Sequence, residues 1–435
     1  MKFITILLLA LKYLFRYRRR YLFLFLALTF GFGIVTLITS IKDGMYENVY
    51  NSAQGHYAGD IITVGYDKNT GSQWHMEKNE MDNILQTITD TDINAQRVVM
   101  RTQFGNEGKL YYNGSVVRLK YVIGVDWDNE AAYFDSLVYQ GRHEEPLGED
   151  DIMLSAPVAE ALKARVGDRL ILETQTRYGQ SNTGAFVVGG IVDDSTLFGY
   201  YKAYISRPVL NTLLLYGEDE CSSIGIFLND RREMENKKVV FHDALEKRIP
   251  VGPLVKDRDE LQRETYQSWS GIKTFVITIP VYLSEVSDLL DAMNIITYFL
   301  YGMMLVIILV SAMVTYRLIL HERSREVGTM RAIGFYAGDV QHILVIETIG
   351  LGVLSLLAGF IFALLGSALI RLVPLSWFPS FEIFMKDGSL TPLYQVRTIL
   401  INLISVFGIL LAAVWFPAFR SSRDPLPQML SGGKG

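Results

Sequence analysis

The sequence predicts an α-helical membrane protein: four transmembrane helices plus a large mixed α/β extracytoplasmic domain. Three observations predict it. Four apolar runs reach membrane-spanning length, and the roughly 240 residues between the first two alternate short helical and strand patterns. Charge follows the same division. Residues 42–294 hold 25 basic and 39 acidic side chains, a net of −14, whereas the rest holds 16 and 7, a net of +9. Half of the chain is hydrophobic, yet a fifth is charged and mean hydropathy is only +0.21. That is too polar for membrane helices alone and too apolar for a soluble enzyme. The acidic middle also argues against nucleic acid as a partner.

In chain order, residues 1–20 form a cytoplasmic N-terminal segment. Phe3 to Leu14, with Lys2, Lys12 and the arginines that follow, reads as an amphipathic helix on the inner leaflet or as an inward extension of the first span. Tyr21 to Ser40 carries no charge, and its 20 residues at ~1.5 Å each cover a ~30 Å hydrocarbon core, giving a first span at 21–41. The cluster Arg16-Tyr-Arg-Arg-Arg20 keeps the N-terminus in the cytoplasm. The run is longer than a signal-peptide core and lacks a small-x-small cleavage site, so an uncleaved anchor is expected; with no cysteine nearby, it is not a lipoprotein anchor.

The second span lies in the stalk-and-helix segment 286–318 (Asn294 to Tyr316, closed by Arg317), the third in 343–371 (closed by Arg371) and the fourth in 399–419 (closed by Arg420). An arginine at mid-membrane costs ~2.5–3.5 kcal/mol, so these arginines mark span ends. Tyr298, Trp377 and Trp415 suit interfacial belts. Alternation then puts 42–285 and 372–398 outside, and 319–342 and the tail 420–435 inside, at a cell's inner (cytoplasmic) membrane. In the third span Gly352, Gly359 and Gly366 recur every seven residues, with Ser355 and Ala363 nearly in line. Such a stripe admits a close helix, expected at a subunit interface, with packing inside the chain as the alternative. Glu347, the one acid in a span, faces a polar cavity or pairs with an arginine at the cytoplasmic rim; rim pairing is expected.

In the outer domain, Met81, Ile84, Leu85 and Ile88 give a helix; Val116 to Val125 a strand; Ala159 to Ala164 a helix; and Val166 to Glu173, Phe186 to Val192 and Ala203 to Ile205 further strands. Between the second and third spans stands a charged segment, Glu322 to Gly334. Val327, Met330 and Ile333 are three apart and share one helix face. Arg323, Arg325, Glu326 and Arg331 decorate the others, while Gly328 and Gly334 permit close approach and termination. Its apolar face is expected to dock in a groove of a soluble partner, the charges fixing register. A solvated linker is the alternative.

No Gly-x4-Gly-Lys-[Ser/Thr] phosphate loop and no Gly-x-Ser-x-Gly occurs, and the six histidines show no metal-ligand spacing. Glu149-Asp150-Asp151 reads as an exposed loop, and the lone Cys221 as a small buried apolar residue. No catalytic, cofactor or metal residue is therefore nominated, and no enzyme is expected.

The inner segment resembles the coupling segment of ABC-transporter permeases of the MacB/FtsX/LolC-LolE superfamily. The outer pieces resemble that superfamily's periplasmic domain in order: Gly59 to Val64, Gly124-Val-Asp126, Gln140-Gly-Arg142, Asp151 to Ser155, Ala159 through Leu172, Phe186 to Ile191 and Tyr204-Ile205. Ser268-Trp269 is similar to the LolC/LolE branch. Pro417 to Arg420 and Arg423-Asp-Pro425 to Leu430 resemble the closing motif, departing at Ser431 where an arginine is common. The resemblance implies a permease half with a MacB-periplasmic-core-like domain, assembled as a homodimer or with a paralogous permease. Separate ABC ATPase subunits would bind ATP and Mg and would couple through Glu322, Arg323, Arg325, Glu326, Val327, Gly328, Met330, Arg331, Ile333 and Gly334. The function it implies is lipoprotein release or export of another amphiphilic cargo by transmitted force. The alternative is an FtsX-like signalling subunit regulating a cell-wall hydrolase, which the size of the outer domain disfavours.

Overall fold

The computed structural model describes residues 18–69, 73–105, 108–141, 147–192, 200–373, 384–385 and 389–422. Residues 1–17 of the expected amphipathic segment, Arg142, Trp377 and the tail from 423 onward lie outside the described residues. The chain divides into two compact units, one of residues 1–47, 289–377 and 384–435, the other of residues 48–288 with 378–383.

The first helix, α1 (Arg18–Tyr57), runs 40 residues without a proline. It stops where Ala58 takes a left-handed backbone (φ 63°) and the Gly59 N–H reaches back to the Gln54 carbonyl at 3.1 Å. That is the six-to-one bond of a Schellman ending. There follow β1 (Ile61–Asp67), β2 (Gln73–Trp74), α2 (Lys78–Asp90), β3 (Ala95–Gly105), β4 (Lys109–Tyr112), β5 (Ser115–Arg118) and β6 (Tyr121–Val125). Next come α3 (Trp127–Leu137), β7 (Val138–Gly141), β8 (Asp151–Ser155), α4 (Ala156–Leu162), β9 (Arg169–Gln175), β10 (Ser181–Val192), β11 (Lys202–Ser206) and α5 (Arg207–Leu214). The unit closes with β12 (Ser223–Leu228), α6 (Met234–Leu245), α7 (Arg258–Tyr266), β13 (Ile272–Thr278) and the short α8 (Ile279–Tyr282).

Among the described residues, thirteen strands join in the order β13-β1-β12-β3-β6-β11-β8-β10-β9-β4-β5, with β2 beside β1 and β7 beside β10. Only β8/β10 and β6/β11 run parallel among these pairs. The long β3 serves both halves: it pairs with β12 through Arg101 and with β6 from Thr102 onward. Ile84 of α2 and Phe241 of α6 cover one half, packing on Ile61, Ile224 and Ile226. Leu162 of α4 and Leu210 of α5 cover the other, on Leu154, Leu170 and Ile205. The single strand expected over Val116 to Val125 is two strands. Leu119 and Lys120 donate instead to the Gly108 and Tyr201 carbonyls, both at 2.8 Å, which takes the chain out of one ladder and into another.

Where β3 changes partners, Arg101 turns inward and is almost wholly buried. Its Nη1 donates to the Gly55 and His56 carbonyls at 2.9 and 2.8 Å, satisfying groups that the end of α1 leaves open. Glu130 of α3 balances the guanidinium through both carboxylate oxygens. Lys202 of β11, also buried, contacts His56 Nδ1 at 2.8 Å. Residues 48–57 of α1 are thereby built into the sheet unit by charged groups, which hold direction better than apolar contacts.

The other unit holds residues 18–47 of α1 with α9 (Ser287–Ala332) from Leu289 on, α10 (Ala337–Arg371) and α11 (Val396–Ser422). Among the described residues, four helices are long and apolar enough to cross a membrane. Tyr21, Leu24, Leu28 and Phe32 form one stripe of α1 and pack on Ile308 and Tyr316 of α9, Leu344 and Leu351 of α10, and Leu410 of α11. Between lipid-facing helices such packing, rather than expulsion from water, is the cohesive term.

The glycine stripe of α10 is used inside the chain. A Cβ at Gly359 would lie 2.7 Å from the Thr29 carbonyl oxygen, and one at Gly352 2.7 Å from Leu410. Gly366 faces Leu37, and the carbonyl of Ser355 accepts from Thr29 Oγ1 at 3.3 Å. The expectation of a subunit interface for this stripe is therefore corrected: α1 and α11 already occupy it.

Candidate functional site: the turn between α9 and α10

The segment expected as a separate coupling element is the end of α9 itself. The helix continues 46 residues from Ser287 to Ala332 with no break after the apolar run. It ends at Gly334, whose φ of 108° a side chain would strain. The Phe335 N–H donates to the Met330 carbonyl and the Gly334 N–H to the Arg331 carbonyl, both at 3.1 Å. This is again a Schellman ending, and Met330 and Phe335, the positions that usually make its apolar contact, each pack against the helix core. Tyr336, with extended backbone, then caps α10.

Burial along this stretch differs from the expected face. Val327 is fully buried and Met330 partly so, both within the four-helix core. Of the proposed apolar docking trio only Ile333 is open, at 76 % exposure, and it is joined by Tyr336 at 81 %. The physical reason is that the core of α1 and α10 claims the same stripe of α9 that continues from Tyr316 through Leu320 to Val327. Gly328 is buried too, while Glu322, Arg325 and Gly334 are exposed and Glu326 and Arg331 half-buried.

Arg323, expected on a charged outer face, is 0 % exposed. Its guanidinium pairs with Glu347 of α10 and donates to the Tyr21 hydroxyl of α1 at 2.9 Å, and that hydroxyl donates to Glu347 Oε2 at 2.7 Å. Glu326 accepts from Arg323 Nε at 3.2 Å. Three helices thus meet in one charged triangle, ~15 Å along α9 from the turn at ~1.5 Å per residue. A buried pair of this kind is costly to desolvate and holds only with its hydrogen bonds made, so its value lies in fixing geometry. Sequence reasoning identified Glu347 as an acid needing an arginine but missed that Arg323 is that arginine, and it missed Tyr21 and Tyr336 altogether. The spacing Tyr316, Leu320, Arg323, Val327, one helical stripe, was the available signal.

At the opposite ends of these helices, Thr398 donates to Asp43 at 2.6 Å, Asn402 to Thr39 at 2.8 Å, and Tyr46 to the Leu290 carbonyl at 3.1 Å. The bundle is tied by polar contacts at both ends and by glycine-tight packing between.

Four membrane-length helices with a large α/β domain between the first two define a polytopic membrane protein carrying one folded domain outside its spans. The MacB-like periplasmic core domain model matches residues 22–236, and the FtsX-like permease C-terminal model matches residues 298–426. The chain belongs to the MacB/FtsX superfamily of ABC permeases. Among solved structures it is similar to the extracellular domain of the noncanonic ABC-type transporter YknZ from Gram-positive bacteria, at 14% identity, 43% of this chain, 93% of that chain and a TM-score of 0.30. It is also similar to the periplasmic region of MacB from Actinobacillus actinomycetemcomitans, at 12% identity, 54% of this chain, 95% of that chain and a TM-score of 0.31. No curated protein matches the chain.

Proposed function

We propose that this chain is the transmembrane subunit of an ABC system in which a separate ATPase docks on the α9–α10 turn at the cytoplasmic face. Its nucleotide cycle is transmitted along α9 to the extracytoplasmic domain, which acts on a lipoprotein or another amphiphilic cargo. One observation carries this reading. Two large apolar side chains, Ile333 and Tyr336, stand exposed on a rigid turn at the tip of a helix longer than a bilayer requires. From Arg317 to Ala332, α9 extends ~24 Å past the apolar run at ~1.5 Å per residue. Exposed apolar groups at a polar tip are what a partner's groove would bury, each contributing about 1.5–3 kcal/mol.

The rest of the bundle suits transmission rather than permeation. The Tyr21–Arg323–Glu347 triangle joins α1, α9 and α10 at the next level above the docking turn, ~15 Å along α9, so a push carried by α9 reaches three helices together. The basic clusters near Arg16–Arg20, Arg317 and Arg420 support a cytoplasmic location for the turn. Reconstituted with its ATPase subunit, the Ile333→Asp and Tyr336→Asp variants are expected to lose nucleotide hydrolysis stimulated by this chain at least about tenfold, equivalent to ~1.4 kcal/mol of coupling. Their thermal unfolding should match wild type, because both side chains are exposed. Unchanged stimulation in both variants would remove the docking claim.

A further inference from the structure

The two halves of the sheet also meet away from β3. Segment 73–78, which leads from β2 into α2, lies against the loop 216–221 between α5 and β12 and against the β9–β10 turn. Gln73 accepts from the Tyr216 hydroxyl at 3.0 Å and donates to the Arg177 carbonyl at 3.4 Å. The Met76 N–H donates to the Cys221 carbonyl at 2.8 Å, and Lys78 pairs with Asp219 at 2.7 Å. In the middle of this seam stands His75, 2 % exposed. Its ring lies on that of Tyr216, with centroids 4.3 Å apart, and among the described residues neither ring nitrogen has a hydrogen-bond partner. Nε2 comes within 3.6 Å of Glu220 Oε2, but Arg177 and the Gly217 N–H, the latter at 2.7 Å, already hold that oxygen. The Arg177 guanidinium also sits over the Tyr216 ring at 4.6 Å, so a cation occupies the ground that an imidazolium would need. Asp67 of β1 is a further charge acting on the ring. Burial pushes the Tyr216 phenol and the Cys221 thiol up to about 12, so both stay neutral.

An apolar side chain would fill this place without losing a hydrogen bond. What the imidazole adds is the capacity to take a proton near neutral pH. We propose that His75 is a proton-sensitive lock between the two halves of the sheet unit: neutral, it lets segment 73–78 close on loop 216–221, and protonated, it drives them apart. The inference rests on the sheet unit alone and stands apart from docking at the α9–α10 turn. Its sign follows from the surroundings. Burial strips water from an imidazolium and Arg177 repels it, which together outweigh the attraction of Glu220 and Asp67, so the ring is held below its ordinary value of 6.5. Once the seam parts, the ring meets water and the ordinary value returns. Protons therefore bind the open form more strongly. Closure has its full stability above pH 6.5 and loses it, by up to about tenfold per pH unit, as pH falls from there toward the depressed value.

Cys221, the single cysteine of the chain, is a native reporter of opening. It is buried, bridged to Met76 and packed with it in one apolar cluster, so lifting segment 73–78 uncovers it. The test is its rate of reaction with dithiodipyridine in the full-length protein in detergent, from about pH 8 to about pH 5. Dividing by the rate for the guanidinium-unfolded chain at each pH removes the titration of the thiol itself. The ratio should be flat above pH 6.5 and rise by up to about tenfold per unit below it. His75→Phe, which keeps a ring on Tyr216, and His75→Gln, which is neutral throughout, should both give a flat ratio. His56, held well below its ordinary value by burial, is another histidine whose protonation would loosen this unit. A rise that survives in either His75 variant would therefore overturn the inference, as would a flat ratio in the wild-type protein.

Discussion

At the scale of single residues, the Tyr21–Arg323–Glu347 triangle has the sharpest energetic consequence. Removing one partner of a buried pair leaves an uncompensated charge, which costs about 3–5 kcal/mol. Glu347→Gln is therefore expected to lower unfolding stability of the detergent-solubilised protein by that order. The joint replacement Arg323→Met with Glu347→Leu should recover most of the loss, because an apolar pair of similar volume carries no charge to desolvate. A double variant no more stable than the single one would show that the triangle is not acting as a pair. Glu347 was legible in the sequence as an anomaly, a lone acid in an apolar run. Arg323 was not, because a helical wheel gives angles between residues and not which angle faces the core. Charged neighbours at 322, 325 and 326 made the surface the natural assignment, and only the packing of α1 against α9 reverses it.

At the scale of elements, periodicity showed the four membrane helices, α2 and α4, and the strand stretches that hold β5, β6, β9, β10 and β11. It did not show β3, β4, β12, β13, α3 or α5 to α8, nor any element's partner. The glycine repeat at 352, 359 and 366 shows that something approaches α10 closely; the sequence has no means of saying whether that neighbour is α1, α11 or a second chain. The structure places the Thr29 carbonyl 2.7 Å from a Cβ at Gly359, so Gly359→Val should overpack the bundle and cost about 1–3 kcal/mol within a single chain. Gly302 on α9 has nothing within 4 Å of its Cβ position, so Gly302→Val serves as the tolerant counterpart. Monomer unfolding in detergent separates them. Equal effects of the two substitutions would mean that α1 does not occupy the stripe. The coupling segment illustrates the same limit: its charges and terminal glycine were visible, but helical continuity with the preceding span was not, since Arg317 reads as an end of the membrane run and not as an end of the helix.

For the whole molecule, the central claim is that the α9–α10 turn sits in the cytoplasm in an ATPase's grip while the α/β domain stands outside. Two single-cysteine variants test this together, on the inert background of buried Cys221: Tyr178→Cys on the exposed turn between β9 and β10, and Tyr336→Cys on the α9–α10 turn. A membrane-impermeant maleimide should label Tyr178→Cys on intact cells. It should reach Tyr336→Cys only in inverted vesicles, and there only when the ATPase subunit has been stripped away. Labelling of both positions from the same side of the membrane, or labelling of Tyr336→Cys that ignores the ATPase, would contradict the claim.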